Sequence, residues 1–461
     1  MVTTNAPDQK IESSRLNSLL HQLALYVPAR LIPGLVNFFA LAIYTRWLSV
    51  GSYGRYALVV AVSDLIQVVF FYGLRLGLFR YFQGARRDNK LSELLSTSLA
   101  IFVITSIIVS VLWVLTLLIF PFPRGLEDAL WLGLPLLLSQ ALLAQMLEIN
   151  QANIAPRRYG ILASSRALLS ISLSFAFIAI FDLREEGVLI GITLGTLIPA
   201  LIDLPQWLRQ VSPKQLSWDT SRHLLFYGMP LMVTFLMKFI VTTSDRFLIE
   251  YFRGSRSVGL YVVGYDLTDQ TLSMLFLVVN LAGYPLVVRA LEEDGIGSAI
   301  GQLRQYAILL FGLTLPSCVG LALLAEPLTG LMVGSRFQEM TVTIIPFIAF
   351  AAFLAGIKAF YFDLAFQLGL RTGLQIWPVV AGALLNIGLN IWWIPTIGLM
   401  GAVYATVAAV AVSLAISIWL GRGIFELPFP VRQFAQILCA TMVMGVVIYF
   451  IPKLGPHGVT L

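Results

Sequence analysis

The chain has 461 residues, of which 58% are hydrophobic and only 12% charged, with a mean hydropathy of +0.86. Soluble domains carry about 25% charged residues, so this composition excludes a water-soluble protein and makes lipid the solvent. The net charge of +6 comes without a basic arm that would grip nucleic acid, and two cysteines with three scattered histidines give neither a disulfide framework nor a metal site.

Residues 1–22 read as a polar cytoplasmic tail without the pattern of a cleavable leader. Thirteen apolar segments follow, each near the roughly 20 residues that cross a bilayer. They lie at 23–45, 54–79, 92–120, 129–150, 159–181, 187–207, 224–250, 258–287, 302–325, 341–366, 374–394, 398–420 and 432–452. Several carry proline (Pro28, Pro33, Pro135, Pro199, Pro230, Pro316, Pro346 and Pro378), which spans tolerate when neighbours take up the freed carbonyls. Lys and Arg number sixteen on the N-terminal side, against eight in the opposite loops. That bias puts the N-terminus in the cytoplasm. An odd span count puts the C-terminus outside, so either a fourteenth span is missing after Leu461 or one of the thirteen is misread. No connecting loop is long enough to hold a soluble catalytic domain.

A weak internal repeat divides the chain. Arg46-Trp47-Leu48, followed by Gly54-Arg55-Tyr56, matches Arg246-Phe247-Leu248, followed by Gly259-Leu260-Tyr261. Each triplet ends an odd-numbered span, and each Gly-x-Tyr opens the next. Spans one and seven are then equivalent, which predicts an all-α polytopic protein of two six-helix lobes related by a parallel repeat. The N-lobe covers 23–210 and the C-lobe 222–421. An extra helix occupies 432–461.

These motifs, with Tyr227-Gly228-Met229-Pro230 and Ser244-Asp245-Arg246-Phe247-Leu248, resemble the polysaccharide-biosynthesis flippases. Those belong to the multidrug/oligosaccharidyl-lipid/polysaccharide (MOP) superfamily, with O-antigen and capsule flippases closest in look and lipid II flippases as cousins. The resemblance runs over nearly the whole chain from about Leu20, although members commonly have twelve or fourteen spans. It implies a MATE-like architecture, alternating access and an undecaprenyl-pyrophosphate-linked oligosaccharide as substrate. It also implies a place in the bacterial inner membrane, serving lipopolysaccharide or exopolysaccharide synthesis beside a polymerase and glycosyltransferases. No cofactor is implied.

Charges inside spans are costly, roughly 2.5–3.5 kcal/mol on insertion scales, and mark functional candidates. On helical spacing, span seven carries a stripe of Thr234, Lys238, Thr242 and Asp245, and span one carries Arg30, Asn37 and Tyr44. Span two has Asp64 and Gln67. Span eight has Tyr261, Tyr265 and Asp269, with Asp266 beside them. Arg30, Lys238, Lys358, Arg246, Arg46 and Asn37 are the candidates for binding an anionic head group. Other readings stand beside these: snorkelling for Arg30, a pair with Asp64 or Asp269 for Lys238, a structural pair for Lys358, interfacial anchoring for Arg46, and a pair with Asp245 for Arg246. Asp64, Asp266 and Asp269 are candidates for ion coupling. Arg75 and Arg166 read as snorkelling anchors, and Glu148 and Asp203 as partners of loop arginines. Phe360, Tyr361, Phe362 and Phe366 read as helix packing or lipid contact ahead of sugar stacking, and Trp377, Trp392 and Trp393 as an interface belt. A drug or cation exporter is the second reading of function. A membrane polymerase or ligase is the third, disfavoured by short loops without an acid/base constellation.

Overall fold

A computed structural model describes residues 31–450. Among these residues the chain is helical, with no strand. Helix α1 (Leu31–Trp47) is followed by α2 (Val50–Arg87), α3 (Leu91–Ile119), α4 (Arg124–Ala152), α5 (Pro156–Phe181) and α6 (Glu185–Leu208). Then come α7 (Trp218–Arg253, with Pro230 inside), α8 (Ser255–Glu293), α9 (Ile296–Leu323) and α10 (Ser335–Leu368). The last three are α11 (Ile376–Ile397), α12 (Leu399–Gly421) and α13 (Val431–Phe450). Eleven helices are long and apolar enough to span on their own, and α7 makes a twelfth across its bend. With α1 these correspond one for one to the thirteen apolar segments, so the protein is a multi-pass membrane protein. The bend in α7 has an ordinary cause, a proline that cannot donate into the helix ladder.

Among the described residues two helices contain a π-turn, Gln67–Phe71 in α2 and Lys358–Phe362 in α10. Such turns add one residue to the helical register and recur at functional positions.

The described residues divide into two compact units. The first contains the chain through Ile43 and Val59–Leu236; the second contains Tyr44–Leu58 and the chain from Met237. The divisions fall inside α1, α2 and α7 instead of in loops. In the first unit, α5 and α6 form an antiparallel pair. Gly191 and Gly195 bring α6 against Ser174 and Ser170 of α5, so close that a Cβ on either glycine would overlap the serine backbone. Apolar side chains gain little from leaving lipid for a neighbouring helix, so small residues that let backbones touch supply the association. The lipid side is plain on α3, where Val103, Ile104, Ile107, Ile108, Val111 and Leu112 are all exposed.

The second unit uses the same device at the two Gly-x-Tyr motifs. Gly54 of α2 meets the backbone of Ser255, and Gly259 of α8 meets the carbonyl of Val50. Its core joins Phe276 of α8, Phe311 of α9 and Tyr361 of α10. Tyr361 and Phe366 are fully buried, and Phe360 stacks on Phe276 with ring centroids 5.7 Å apart. Their role here is packing. Trp377 and Trp392 are exposed near the ends of α11.

Candidate functional site

The polar stripe of α7 divides into three different environments. Lys238 is exposed and makes no side-chain hydrogen bond or ion pair among the described residues; Asp269 of α8 is within electrostatic reach. Lys238 and Asp269 therefore act on each other through space, without a bonded ion pair. One turn beyond Thr242, Arg246 donates from Nη2 to Asp266 Oδ1 at 2.7 Å, with both side chains largely buried. Arg246 thus pairs with Asp266 and not with Asp245, which is its neighbour in sequence but faces elsewhere: consecutive helical residues point about 100° apart.

Asp245 is buried and bound from three helices. Tyr261 Oη of α8 donates to Oδ2 at 2.7 Å, Thr406 Oγ1 of α12 to the same oxygen at 2.8 Å, and Asn390 Nδ2 of α11 to Oδ1 at 2.6 Å. Asn386 Oδ1 accepts from Asn390 and from Ser244. All the donors to Asp245 are neutral. Asn390 Oδ1 and Asn386 Nδ2 remain buried without partners. A buried carboxylate without a countercharge is costly. This one is ringed by hard oxygens of the type that coordinate small hard cations. No cluster of three or more His, Cys, Asp or Glu suited to a metal occurs among the described residues.

A second polar site lies wholly within the first unit. A partly open cavity of about 430 Å³ is lined by α2, α4 and α5, at the π-turn of α2. It is lined by Asp64, Gln67, Tyr72 and Arg75 of α2, Gln140, Glu148 and Gln151 of α4, and Tyr159 and Arg166 of α5. Gln67 Nε2 donates to Gln140 Oε1 at 2.8 Å, and Arg75 Nη2 to Glu148 Oε2 at 3.4 Å. Arg75 also lies over the ring of Tyr72, 5.1 Å from its centroid. Arg75 and Arg166 thus line a cavity, where the sequence reading made them snorkelling anchors. Distance from a helix end cannot tell these cases apart; only the facing residues of α4 and α5 do. Asp203 takes Arg158, which lies in the first turn of α5 and not in a loop, at 2.7 Å, whereas Glu148 takes Arg75 of α2.

Lys358 lies in the π-turn of α10 and is 8% exposed. Its Nζ donates to Asp363 Oδ2 at 2.8 Å; Gln375 Nε2 donates to the same oxygen at 2.9 Å, and Ser417 Oγ to Oδ1 at 2.5 Å. Arg46 is exposed and donates to the carbonyl of Leu331 at 2.5 Å, so the two Arg-aromatic-Leu triplets end in different bonding. Asn37 is exposed on α1. Arg30 lies outside the described residues, as does the tail at 1–22. The sequence reading missed Asp245 as a centre, because its partners on α11 and α12 are 145 and 161 residues away.

Residues 19–291 match the family model described as "Polysaccharide biosynthesis protein". No curated protein sequence matches the chain. Among solved structures, the lipid II flippase MurJ in an inward closed conformation is similar with a TM-score of 0.73 at 15% identity, covering 92% of each chain. An inward-facing multidrug resistance MATE family transporter of the MOP superfamily gives 0.64 at 14% identity, covering 90% of this chain and 99% of its own. A MOP superfamily transporter from Pyrococcus furiosus gives 0.58 at 14%, over 91% and 96%. The family match spans more than half of the chain and the fold matches span nearly all of it: this protein belongs to the polysaccharide biosynthesis protein family, on the helical fold of the MOP superfamily.

Proposed function

We propose that the protein is a flippase, not an enzyme, carrying an undecaprenyl-pyrophosphate-linked oligosaccharide from the cytoplasmic to the outer leaflet of a bacterial inner membrane by alternating access. Lys238 is the observation that carries this reading. A lysine in the middle of a spanning helix, exposed and without an ion pair, is stable only beside water or an anionic guest. A pyrophosphate supplies that anion, and charge-assisted bonds replace the water it leaves behind. A MATE-like exporter of cationic drugs shares the fold, but a free lysine on this helix opposes a cationic guest. The other cations have different places in this scheme. Arg246 is already neutralised by Asp266, Lys358 is a strut, and Arg46, Asn37 and Arg30 remain candidates for the approach of the head group.

Charge counting suggests how flipping is coupled to an ion. The ionisable side chains of this region, Lys238 and Arg246 with Asp245, Asp266 and Asp269, have a formal sum of −1. Uptake of one monovalent cation among the oxygens around Asp245, or of a proton on Asp269, raises that sum to zero. Lys238 is then released from the field of Asp269 to meet the pyrophosphate. Loss of the ion on the other side reverses the balance and expels the anion. Asp64 and Asp266 are the remaining coupling candidates.

Proteoliposomes loaded with the lipid-linked oligosaccharide test this directly. Flipping should respond to an imposed sodium or proton gradient and vanish in Lys238→Ala. Asp269→Asn should bind the anionic lipid more tightly and release it more slowly. Transport by Lys238→Ala at the wild-type rate would remove the basis of the proposal.

A further inference from the structure

We infer that the cavity of the first unit is a carbohydrate subsite, which holds sugar units of the lipid-linked substrate apart from the site of its pyrophosphate. This rests on the flippase reading above and adds to it where the glycan is recognised.

Charge gives the first reason. Among the described residues, the charged side chains lining the cavity are Asp64, Glu148, Arg75 and Arg166, whose formal charges cancel. Two carboxylates oppose an anion such as pyrophosphate, and two guanidiniums oppose a cation. An uncharged guest rich in hydroxyls meets neither objection, because each hydroxyl both donates and accepts. Carboxylates accept from such hydroxyls and guanidiniums donate to them, each in the stronger, charge-assisted form.

The amides give the second. Gln67 and Gln140 are joined through one half of each amide, which leaves Gln67 Oε1 as an acceptor and Gln140 Nε2 as a donor. Gln151 adds a third amide on the same face of α4, about three turns beyond Gln140, with Ala144 and Leu147 between them. The Arg75–Glu148 pair is long at 3.4 Å, and Arg75 Nε is buried without a partner. These are bonding positions a guest can complete, in contrast to the saturated network around Asp363.

Size gives the third. A volume of about 430 Å³ lies within the range of sites that hold small organic molecules. An acyl chain would leave these polar groups without partners, at a cost for each one buried.

The test uses the full chain in nanodiscs and two probes: undecaprenyl pyrophosphate, and the same lipid bearing the oligosaccharide isolated from the producing cells. Wild type should bind the glycosylated lipid at least about tenfold more tightly than the bare one, a gap equal to one or two good hydrogen bonds. Gln140→Leu and Gln67→Leu should narrow that gap to within about threefold, through weaker binding of the glycosylated lipid alone. Gln151→Leu provides a second route should either variant fail to fold as judged by size-exclusion profile. Lys238→Ala should weaken both lipids equally, which tests the flippase reading separately. Cavity variants that preserve the full gap, or that weaken both lipids alike, would overturn the subsite while leaving Lys238 and its role intact.

Discussion

The two π-turns among the described residues place the same kind of ion pair in opposite circumstances. In α2, next to Gln67–Phe71, Arg75 and Glu148 are 3.4 Å apart, with side chains 21% and 16% exposed to a cavity. In α10, within Lys358–Phe362, Lys358 and Asp363 are 2.8 Å apart and 10% and 3% exposed. The α10 turn begins at its charged residue, whereas the α2 turn is followed one helical turn later by Arg75. At α10, Gln375 and Ser417 complete the carboxylate and close the space. At α2 the neighbours are other polar residues around a void. A charge inside a span therefore does not by itself mark a binding site. What matters is whether its bonding capacity is already filled.

Breaking the closed network should have the largest effect. Asp363→Ala strands Lys358 in a dry interior, and loss of one partner from a buried pair costs about 3–5 kcal/mol. The thermal melting temperature in detergent should fall sharply, and an unchanged value would show that water reaches Lys358. Replacing both partners, as Lys358→Met with Asp363→Leu, should recover most of that loss, since apolar substitutes for buried pairs are often neutral. Ser417→Ala alone removes one donor and should cost about 1 kcal/mol. At the open pair, Arg75→Gln should change stability by about 1 kcal/mol or less, as expected for a partly exposed pair, yet reduce transport of the glycosylated lipid. If Arg75→Gln destabilised as much as Asp363→Ala, the contrast between the two turns would disappear.

A different variant sharpens the distinction within α7. Asp245→Asn keeps the shape of its cluster but removes the single formal charge. Folding should survive, and transport should lose its dependence on the coupling ion. Retention of that dependence would move the ion to Asp269 or Asp266.

The helices were legible because hydropathy and length act locally: each of the thirteen apolar runs has its helix among the described residues. The Gly-x-Tyr pairs were visible as a repeat, but their cause was not, since it is the touching backbones of α2 and α8. The sites were harder to read. Helical spacing correctly put Lys238 and Asp245 on one stripe, but it could not tell an open lysine from a carboxylate enclosed by α8, α11 and α12. Arg75 looked like an anchor near a helix end because Glu148, 73 residues on, gives no local signal. Lys358 and Lys238 look alike in sequence as lone lysines in apolar runs. They differ through Asp363, five residues from Lys358 and bonded to it across the π-turn.

The most direct measurement is the leaflet that holds the lipid-linked oligosaccharide in cells lacking this protein and complemented with variants. Cytoplasmic accumulation on deletion, rescued by wild type and by Arg75→Gln in part but not by Lys238→Ala, is the predicted result. Outward appearance of the lipid in the deleted cells, or full rescue by Lys238→Ala, would contradict a flippase that works through an open lysine on α7.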